Sequence, residues 1–214
     1  HSSLDPSSPT YVGTGLDSVW SQIFYHVWWP GQGNDPMYLI NQQMNRDRNN
    51  YYGNNYTPHL YSNGRDSGSN PATWRDDARN ITNEISLFTL TSTSIKEGRD
   101  ITVSVSAKSL IDTSPNTELK LFVAVVLDKV VYPSSPNGLT DHYDVVVDLL
   151  SGNSGKKIVF EANLAKVETF KWTFPDPWIN KSIASWNSNE LKIVSWIQDY
   201  NSKQILQVFK EVLE

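Results

Sequence analysis

The hydrophobic pattern of this chain changes near residue 84, and this change constrains the fold more than any other feature. Beyond that point apolar and polar residues alternate, most clearly over residues 100–106. A period of two places one row of side chains in a core and the other in water, as in an antiparallel strand with one wet face. Residues 119–127 are almost all apolar, which predicts a central strand of the same sheet.

Further strands are predicted at regular intervals along this part of the chain. They cover residues 85–91, 157–161, 169–174, 190–199 and 204–210, while residues 142–150 fit either a helix or a strand. The turn residues at 199–202 predict a hairpin between the last two strands. Short strands with turn signals between them favour an antiparallel β-sandwich of immunoglobulin-like type over residues 85–214.

Residues 1–84 carry helix signals instead. Asp35-Pro36 and Asn70-Pro71 each place a capping side chain before a proline, which predicts two helix starts. Gly53 is a suitable end for the first of these helices. Before them, residues 23–28 are aromatic and β-branched, which predicts a buried strand.

The first residues of the chain predict an extended arm. Residues 1–15 are rich in Ser, Pro and Gly, and a short helix is expected to begin near residue 16. Such a terminus is either partly disordered or docked on a neighbouring subunit. In the second case Tyr11 and Val12 are candidate interface contacts.

Composition excludes several classes of function. The 214 residues include no cysteine, so disulfides, thiolate zinc sites, iron–sulfur clusters and thiol nucleophiles are ruled out. A net charge of −5 without a Lys/Arg cluster argues against a nucleic-acid partner. No apolar run approaches the roughly 18 residues of a membrane span. We expect no cofactor, no metal and no catalytic residue.

Short segments at both ends of the chain resemble one protein family, the thioredoxin-like outer-membrane lipoproteins of Bacteroidetes-type bacteria. The segments are Tyr25-His26-Val27-Trp28-Trp29-Pro30, Asn34-Asp35-Pro36, Tyr51-Tyr52-Gly53, Thr57-Pro58, and residues 191–199 with 203–207. The resemblance implies an α+β protein, with an incomplete thioredoxin-like α/β domain over residues 1–84 and the β-sandwich over residues 85–214. It also implies that the peptide bond before Pro58 is cis.

The chain departs from this family where the family carries its first strand and its Cys-x-x-Cys loop. Without cysteine, thiol–disulfide exchange is not expected. The first strand is missing or is supplied by the N-terminal arm. A sheet that lacks a strand exposes backbone groups that can pair with another chain.

Three side chains are candidates for binding. His59 follows the predicted cis-proline, on the loop that faces the active site in thioredoxin folds, although a surface histidine without a role is the plainer interpretation. Trp178 lies in a proline-rich loop and is a candidate interface or ligand contact, with core packing as the alternative. His142 has two aspartates nearby, but a solvated loop explains this pattern better than a metal site.

Together these patterns predict a non-catalytic extracellular or cell-surface protein whose signal segment has been removed. Its predicted role is structural or adhesive, as a self-assembling, filament-type subunit that adds its N-terminal arm as a strand to a neighbour. The alternative is a monomeric surface module that binds carbohydrate or peptide. A hydrolase would need a nucleophile and base pattern that the sequence does not offer.

Overall fold

A computed structural model describes residues 20–82, 84–186 and 190–213. The predicted N-terminal arm, with Tyr11 and Val12, lies outside the described residues, as does most of the helix expected near residue 16. Self-assembly through that arm therefore stays a prediction.

Three helices and eleven strands follow one another in the described residues. The helices are α1 (Pro36–Leu39), α2 (Gln42–Tyr52) and α3 (Pro71–Ile81). The strands are β1 (Leu60–Ser62), β2 (Arg65–Gly68), β3 (Phe88–Glu97), β4 (Asp100–Ser109), β5 (Leu119–Val131), β6 (Asp141–Leu149), β7 (Lys156–Lys157), β8 (Lys166–Thr173), β9 (Ser185–Trp186), β10 (Leu191–Asp199) and β11 (Ile205–Leu213).

The named strands pair antiparallel in three sheets. The large sheet has the order β11-β10-β5-β6, and the short strands β7 and β9 also pair with β5. The second sheet has the order β3-β4-β8, and β1 and β2 form a separate hairpin. A β-rich fold with sandwich-like sheets, as the alternating pattern predicts, is confirmed. None of the helices described here has the length and apolar character that crossing a membrane requires.

Strand β5 is central because both of its faces are apolar. Val123 and Val125 point into the core between the two larger sheets, which they share with Val103 of β4. Phe122 faces the other way and packs in a second core with Met44 of α2. Burying a side chain of this size stabilises the fold by about 1.5–3 kcal/mol. The continuous apolar run at 119–127 therefore reflects a strand covered by a sheet on one side and a helix on the other.

The two larger sheets are also joined at their edges by one carboxylate. Glu211 of β11 accepts hydrogen bonds from the Ser92 hydroxyl at 2.7 Å and from the Ser94 backbone N–H at 2.7 Å. The Ser94 hydroxyl donates to the same carboxylate at 3.0 Å. These bonds connect β11 to β3, so the last strand of the chain closes one side of the sandwich.

The two predicted helix starts are confirmed, and the structure adds a third. Asn70 caps α3 by accepting from the Ala72 N–H at 3.1 Å, and Gly53 ends α2 with a φ of +70°. The first predicted helix is split in two. Asp35 caps α1, and Asn41 caps α2 by accepting from the Met44 N–H at 3.1 Å.

The buried strand predicted at residues 23–28 is wrong. Phe24 forms a single parallel bridge with Val145 of β6, and its side chain is 38% exposed. Two residues further along, the His26 N–H donates to the Asn45 side chain and not to a neighbouring strand. The Asn45 side chain therefore accepts the hydrogen bond that a partner strand would accept. The thioredoxin-like interpretation of residues 1–84, and the domain boundary near residue 84, stay predictions.

Two further strand predictions are adjusted by the structure. The strand predicted at 157–161 is only the two-residue β7, and the ambiguous segment 142–150 is strand β6. In β6 the buried residues Val145, Val146 and Val147 are consecutive, because this strand contributes to the cores on both sides of the large sheet. That run obscures the period that distinguishes a strand from a helix.

Candidate ligand-binding site

A cavity of about 640 Å³ lies where the helical part of the chain meets the large sheet. Its walls come from residues 20–27, the second half of α2, residues 57–61, α3, residues 84–88, β10 and the start of β11. The exposed side chains of Thr57, Pro58 and Ile85 belong to this lining, so the cavity opens to solvent. Its volume is in the range of cavities that hold small ligands.

Arg48 is the most unusual residue of the lining. Its side chain is only 2% exposed, although arginine is almost never fully buried unless it is paired. Five aromatic rings surround its guanidinium group, with the carbon Cζ between 4.6 and 6.0 Å from their centroids. We call these rings the aromatic cage: Tyr25, Tyr51, Tyr52, Phe122 and Trp196.

Helix α2 places Arg48 there by its periodicity. Met44 and Arg48 are four residues apart and lie on the same buried face, next to Asn45. The Asn45 amide fixes the entry of the helix by donating to the carbonyl oxygens of Tyr38 and Asn41 at 3.2 and 3.1 Å. Arg48 is therefore held by a rigid helix and does not depend on a loop for its position.

The charge of Arg48 has no acidic partner among the described residues. The ion pairs of arginine in this part of the chain involve Arg65, Arg79 and Arg99. Arg48 Nη2 donates to the Tyr52 hydroxyl at 3.3 Å, while Nε and Nη1 have no acceptor. The ring faces attract the cation, but they do not accept these N–H groups in the way that a carboxylate does.

The tyrosines near Arg48 do not supply the missing negative charge. Burial raises the pKa of Tyr25 to about 12, although the positive charge of Arg48 opposes this shift. Burial raises the pKa of Tyr51, another ring of the aromatic cage, as well. Both hydroxyls are therefore neutral near pH 7. That of Tyr51 donates to the Tyr200 carbonyl at 2.8 Å, and that of Tyr25 can donate a hydrogen bond to an acceptor.

Several polar atoms of the lining, on Arg48 and on other residues, are buried and have no hydrogen-bond partner within the described residues. This is rare because buried polar groups are normally paired. The donors are Trp20 Nε1, Gln22 Nε2, Tyr25 Oη, and Arg48 Nε and Nη1, and the remaining atoms are Asn54 Oδ1 and His59 Nδ1. Unpaired donors therefore outnumber unpaired acceptors in one cavity.

His59 and Pro58 lie at the rim of this cavity. The Thr57–Pro58 peptide bond is cis. The His59 ring is stacked between Tyr56 and Tyr61, with centroid distances of 4.3 and 4.4 Å. Its Nε2 is 2.7 Å from Asp66 Oδ1, and this hydrogen bond lowers the pKa of the Asp66 carboxyl. His59 therefore contributes to an ordered aromatic wall next to the opening.

Trp178 is not part of the cavity lining. It is half-buried and stacks on Trp186 with a centroid distance of 5.2 Å and an interplanar angle of 6°. Trp172 and Phe174 lie 6.3 and 6.5 Å from it. These four rings pack against the core between the sheets. A contact of Trp178 with a partner or ligand stays a prediction.

His142 belongs to a packed cluster on the opposite edge of the large sheet. Its ring lies 5.8 Å from that of His26, whose Nδ1 is 2.8 Å from Asp35 Oδ2. Asp144, one of its sequence neighbours, pairs with Lys192 at 2.7 Å. Within the described ranges no group of three or more His, Asp or Glu side chains has the arrangement of a metal site.

Arg48 and Tyr25 are not among the residues that the sequence patterns predict to bind a ligand. A usable signal was present, because Arg48 stands four residues after Met44 and thus interrupts the apolar face of the predicted helix. An arginine at such a position requires either a partner or a ligand. Tyr25 carried no comparable signal, since it was assigned to a strand that does not form.

Comparisons with known proteins give little guidance. No family profile and no curated protein matches the chain by sequence. Among solved structures, a β-glucosidase from Kluyveromyces marxianus is 17% identical, with a TM-score of 0.33, over 64% of this chain and 16% of that one. β-Glucosidases from Listeria innocua and Thermotoga neapolitana have TM-scores of 0.30 and 0.28 at 15% and 10% identity, over 59% of this chain and 16% of theirs. The chain thus spans about a sixth of each enzyme, and the likeness is too weak to indicate an activity.

Proposed function

We propose that this protein is a non-catalytic, extracellular or cell-surface binding module that holds a carbohydrate in the cavity around Arg48. The observation that carries the proposal is the coincidence of a cavity of about 640 Å³ with a set of buried polar atoms that lack partners. Unpaired polar groups inside a fold cost stability, and a ligand that satisfies them recovers that cost on binding.

The chemistry of the lining favours a sugar over an apolar ligand. Aromatic rings offer flat faces on which sugar rings stack, and the partly exposed rings of Trp20 and Phe24 are part of the lining. Amide side chains of Gln22, Asn54 and other residues belong to the same lining. Sugar hydroxyl groups both donate and accept, so they match a wall that mixes amide groups with aromatic faces.

A peptide is the less favoured ligand. Peptides commonly bind by adding a strand to an exposed sheet edge. The stretch of β11 that lines the cavity is occupied at that edge by side chains: Ser86 Oγ donates to the Leu206 carbonyl at 2.8 Å, and the Val208 N–H donates to its neighbour Gln207 at 3.1 Å. These bonds compete with strand addition at this point.

A screen of immobilised glycans with the full chain tests the proposal. The matched variants are Tyr61→Ala, which removes a half-buried tyrosine from the lining, and Tyr143→Ala, which removes a half-buried tyrosine elsewhere. We expect at least one saccharide to bind, a loss of about tenfold or more in affinity for Tyr61→Ala, and little change for Tyr143→Ala. Recovery of the saccharide unchanged after incubation is expected of a non-catalytic module.

Two outcomes contradict this proposal. Absence of binding to any saccharide removes its basis. Equal losses in the two tyrosine variants place the binding site elsewhere or indicate a general loss of structure, which circular dichroism of each variant distinguishes.

Self-assembly through residues 1–15 is a separate proposal that rests on the sequence of that arm and on the resemblance to thioredoxin-like lipoproteins. It predicts that the intact chain forms oligomers in solution and that a chain lacking residues 1–15 does not. Light scattering on both proteins tests it, and two monomers contradict it.

A further inference from the structure

The cavity contains a positive charge that nothing in the described part of the chain balances. Of the charged residues in the lining, Glu84 pairs with Arg65 at 2.5 Å, and His59 pairs with Asp66. Around its guanidinium, Arg48 has ring faces and the neutral hydroxyls of Tyr52 and Tyr25, but no carboxylate of the described residues. A charge that is poorly hydrated and not paired attracts a counter-ion far more strongly than one in water.

The unpaired polar atoms next to Arg48 are also donors. The Tyr25 ring centroid lies 5.8 Å from Arg48 Cζ, and the Tyr25 hydroxyl has no acceptor. Trp20 Nε1 and Gln22 Nε2, on the same segment, are donors without an acceptor as well. A neutral sugar hydroxyl can accept from one of these groups, but it leaves the charge of Arg48 uncompensated. An anionic oxygen group satisfies both requirements.

We infer that the natural ligand is an acidic saccharide and that a sugar carboxylate binds Arg48, with the Tyr25 hydroxyl as a second donor. This inference rests on the proposed function and names the class of sugar. A carboxylate suits the site because the planar guanidinium group presents N–H donors in a fork that matches its two oxygens. Hydrogen bonds between two charged groups are about twice as strong as those between neutral groups.

Access to Arg48 involves the segment that carries Tyr25. Residues 23–27 are held on the large sheet by two backbone hydrogen bonds at Phe24. His26 attaches the same segment to the helical part, through its N–H to Asn45 of α2 and through its Nδ1, which lies 2.8 Å from Asp35. A strand of the same length inside a sheet would be held by a full ladder of bonds. Few backbone bonds therefore oppose a small adjustment of this segment, and Tyr25 and Arg48 both belong to the lining of the cavity.

The test compares two ligands that differ at the carboxyl group, which is charged in one and methylated in the other. Oligogalacturonate and its methyl ester have the same sugar ring and linkage, but only the first carries carboxylates. We expect the full chain to bind oligogalacturonate at least about tenfold more tightly than the methyl ester by titration calorimetry at low salt, a difference equal to about 1.4 kcal/mol. This comparison needs no variant, so it stands even if a substitution at Arg48 impairs folding.

Arg48→Met and Arg46→Met are the matched variants. Both replace an arginine of α2 by an unbranched apolar side chain, but Arg46 is exposed and not part of the lining. We expect Arg48→Met to bind the acid and the ester with equal affinity, and Arg46→Met to keep the preference of the wild type.

The outcomes separate this inference from the proposed function. Equal binding of the acid and the ester by the wild type overturns the inference and leaves carbohydrate binding intact. Absence of binding to either ligand and to the wider glycan screen overturns both. A peptide that binds with a free C-terminal carboxylate but not as its amide, in the absence of saccharide binding, keeps Arg48 as the anion site and overturns the choice of sugar.

Discussion

The guanidinium carbon of Arg48 lies 4.6 Å from the ring centroid of Phe122, so a charged group of helix α2 rests on the central strand of the large sheet. Phe122 in turn stacks on Trp196 of β10, with centroids 4.9 Å apart and an interplanar angle of 7°. Trp196 of β10 lines the cavity and Phe122 of β5 supports it, while the charge comes from the helical part of the chain. The binding properties of the site depend on contact between these two parts.

Two substitutions of Arg48 separate the effect of its packing on stability from the effect of its charge. Arg48→Met keeps an elongated side chain inside the aromatic cage and removes an unpaired buried charge, so we expect the free energy of unfolding to stay within about 1 kcal/mol of wild type or to rise. Arg48→Ala leaves a void among the rings and should lower it by about 2–4 kcal/mol. Urea denaturation measures both, and a loss of more than about 3 kcal/mol in Arg48→Met would show that the ring contacts of the cation outweigh its burial cost.

The edge contact made by Glu211 predicts a second effect on stability. Glu211→Gln replaces a carboxylate that accepts three hydrogen bonds, so the free energy of unfolding should fall by about 1–3 kcal/mol. Glu161→Gln is the matched control, since Glu161 is exposed, and it should change stability by less than about 0.5 kcal/mol. Equal effects of the two substitutions would mean that the edge of β11 does not hold the sheets together.

Gly64 is predicted to tolerate no side chain. It has a φ of +80°, and a Cβ atom at this position would lie 1.7 Å from the carbonyl oxygen of Lys203. Gly64→Ala must therefore displace the β1–β2 hairpin, and we expect a loss of more than about 2 kcal/mol. Gly98→Ala has a similar φ of +63° with open space around it, so only the backbone strain of about 1–2 kcal/mol applies. Thermal unfolding of both variants compares the two costs, and similar midpoints would rule out the close approach at Gly64.

His142 makes stability depend on pH. Burial, together with the charge of the neighbouring His26, lowers the pKa of His142 below its ordinary value of 6.5. The unfolded chain therefore binds a proton more readily than the folded protein as the pH falls below about 6.5, so stability decreases in that direction. We expect the midpoint of thermal unfolding to decrease when the pH is lowered from 7.5 to 5. The decrease should be smaller in His142→Asn. An identical decrease in both proteins would assign the pH dependence to other groups.

Sequence patterns predicted the parts of the fold in which local and tertiary preferences agree. β4 alternates because one of its faces is buried and the other is not, and α3 begins at Pro71 because the Asn70 cap and the proline are local signals. The hairpin of β10 and β11 follows from turn residues in the sequence itself. In each case the residues that define the element are close together in the chain.

The missed features depend on residues far apart in sequence. Residues 23–28 have the composition of a strand, yet the Asn45 side chain takes the bond that a partner strand would make. The cage around Arg48 brings together rings from residues 25 to 196, and no local pattern records such a meeting. Fold class is therefore accessible from periodicity, whereas the candidate site is visible only after distant segments have packed.

The position of β5 also determines the order in which this protein can take shape during synthesis. All strands that pair with β5 come from residues after it, between 141 and 199, whereas the helix that carries Arg48 is made earlier. On the ribosome, α2 emerges before Phe122 and Trp196 have been translated. The apolar surface against which α2 packs in the folded protein is therefore not yet present. The cavity is consequently completed last, although most of its walls are translated first.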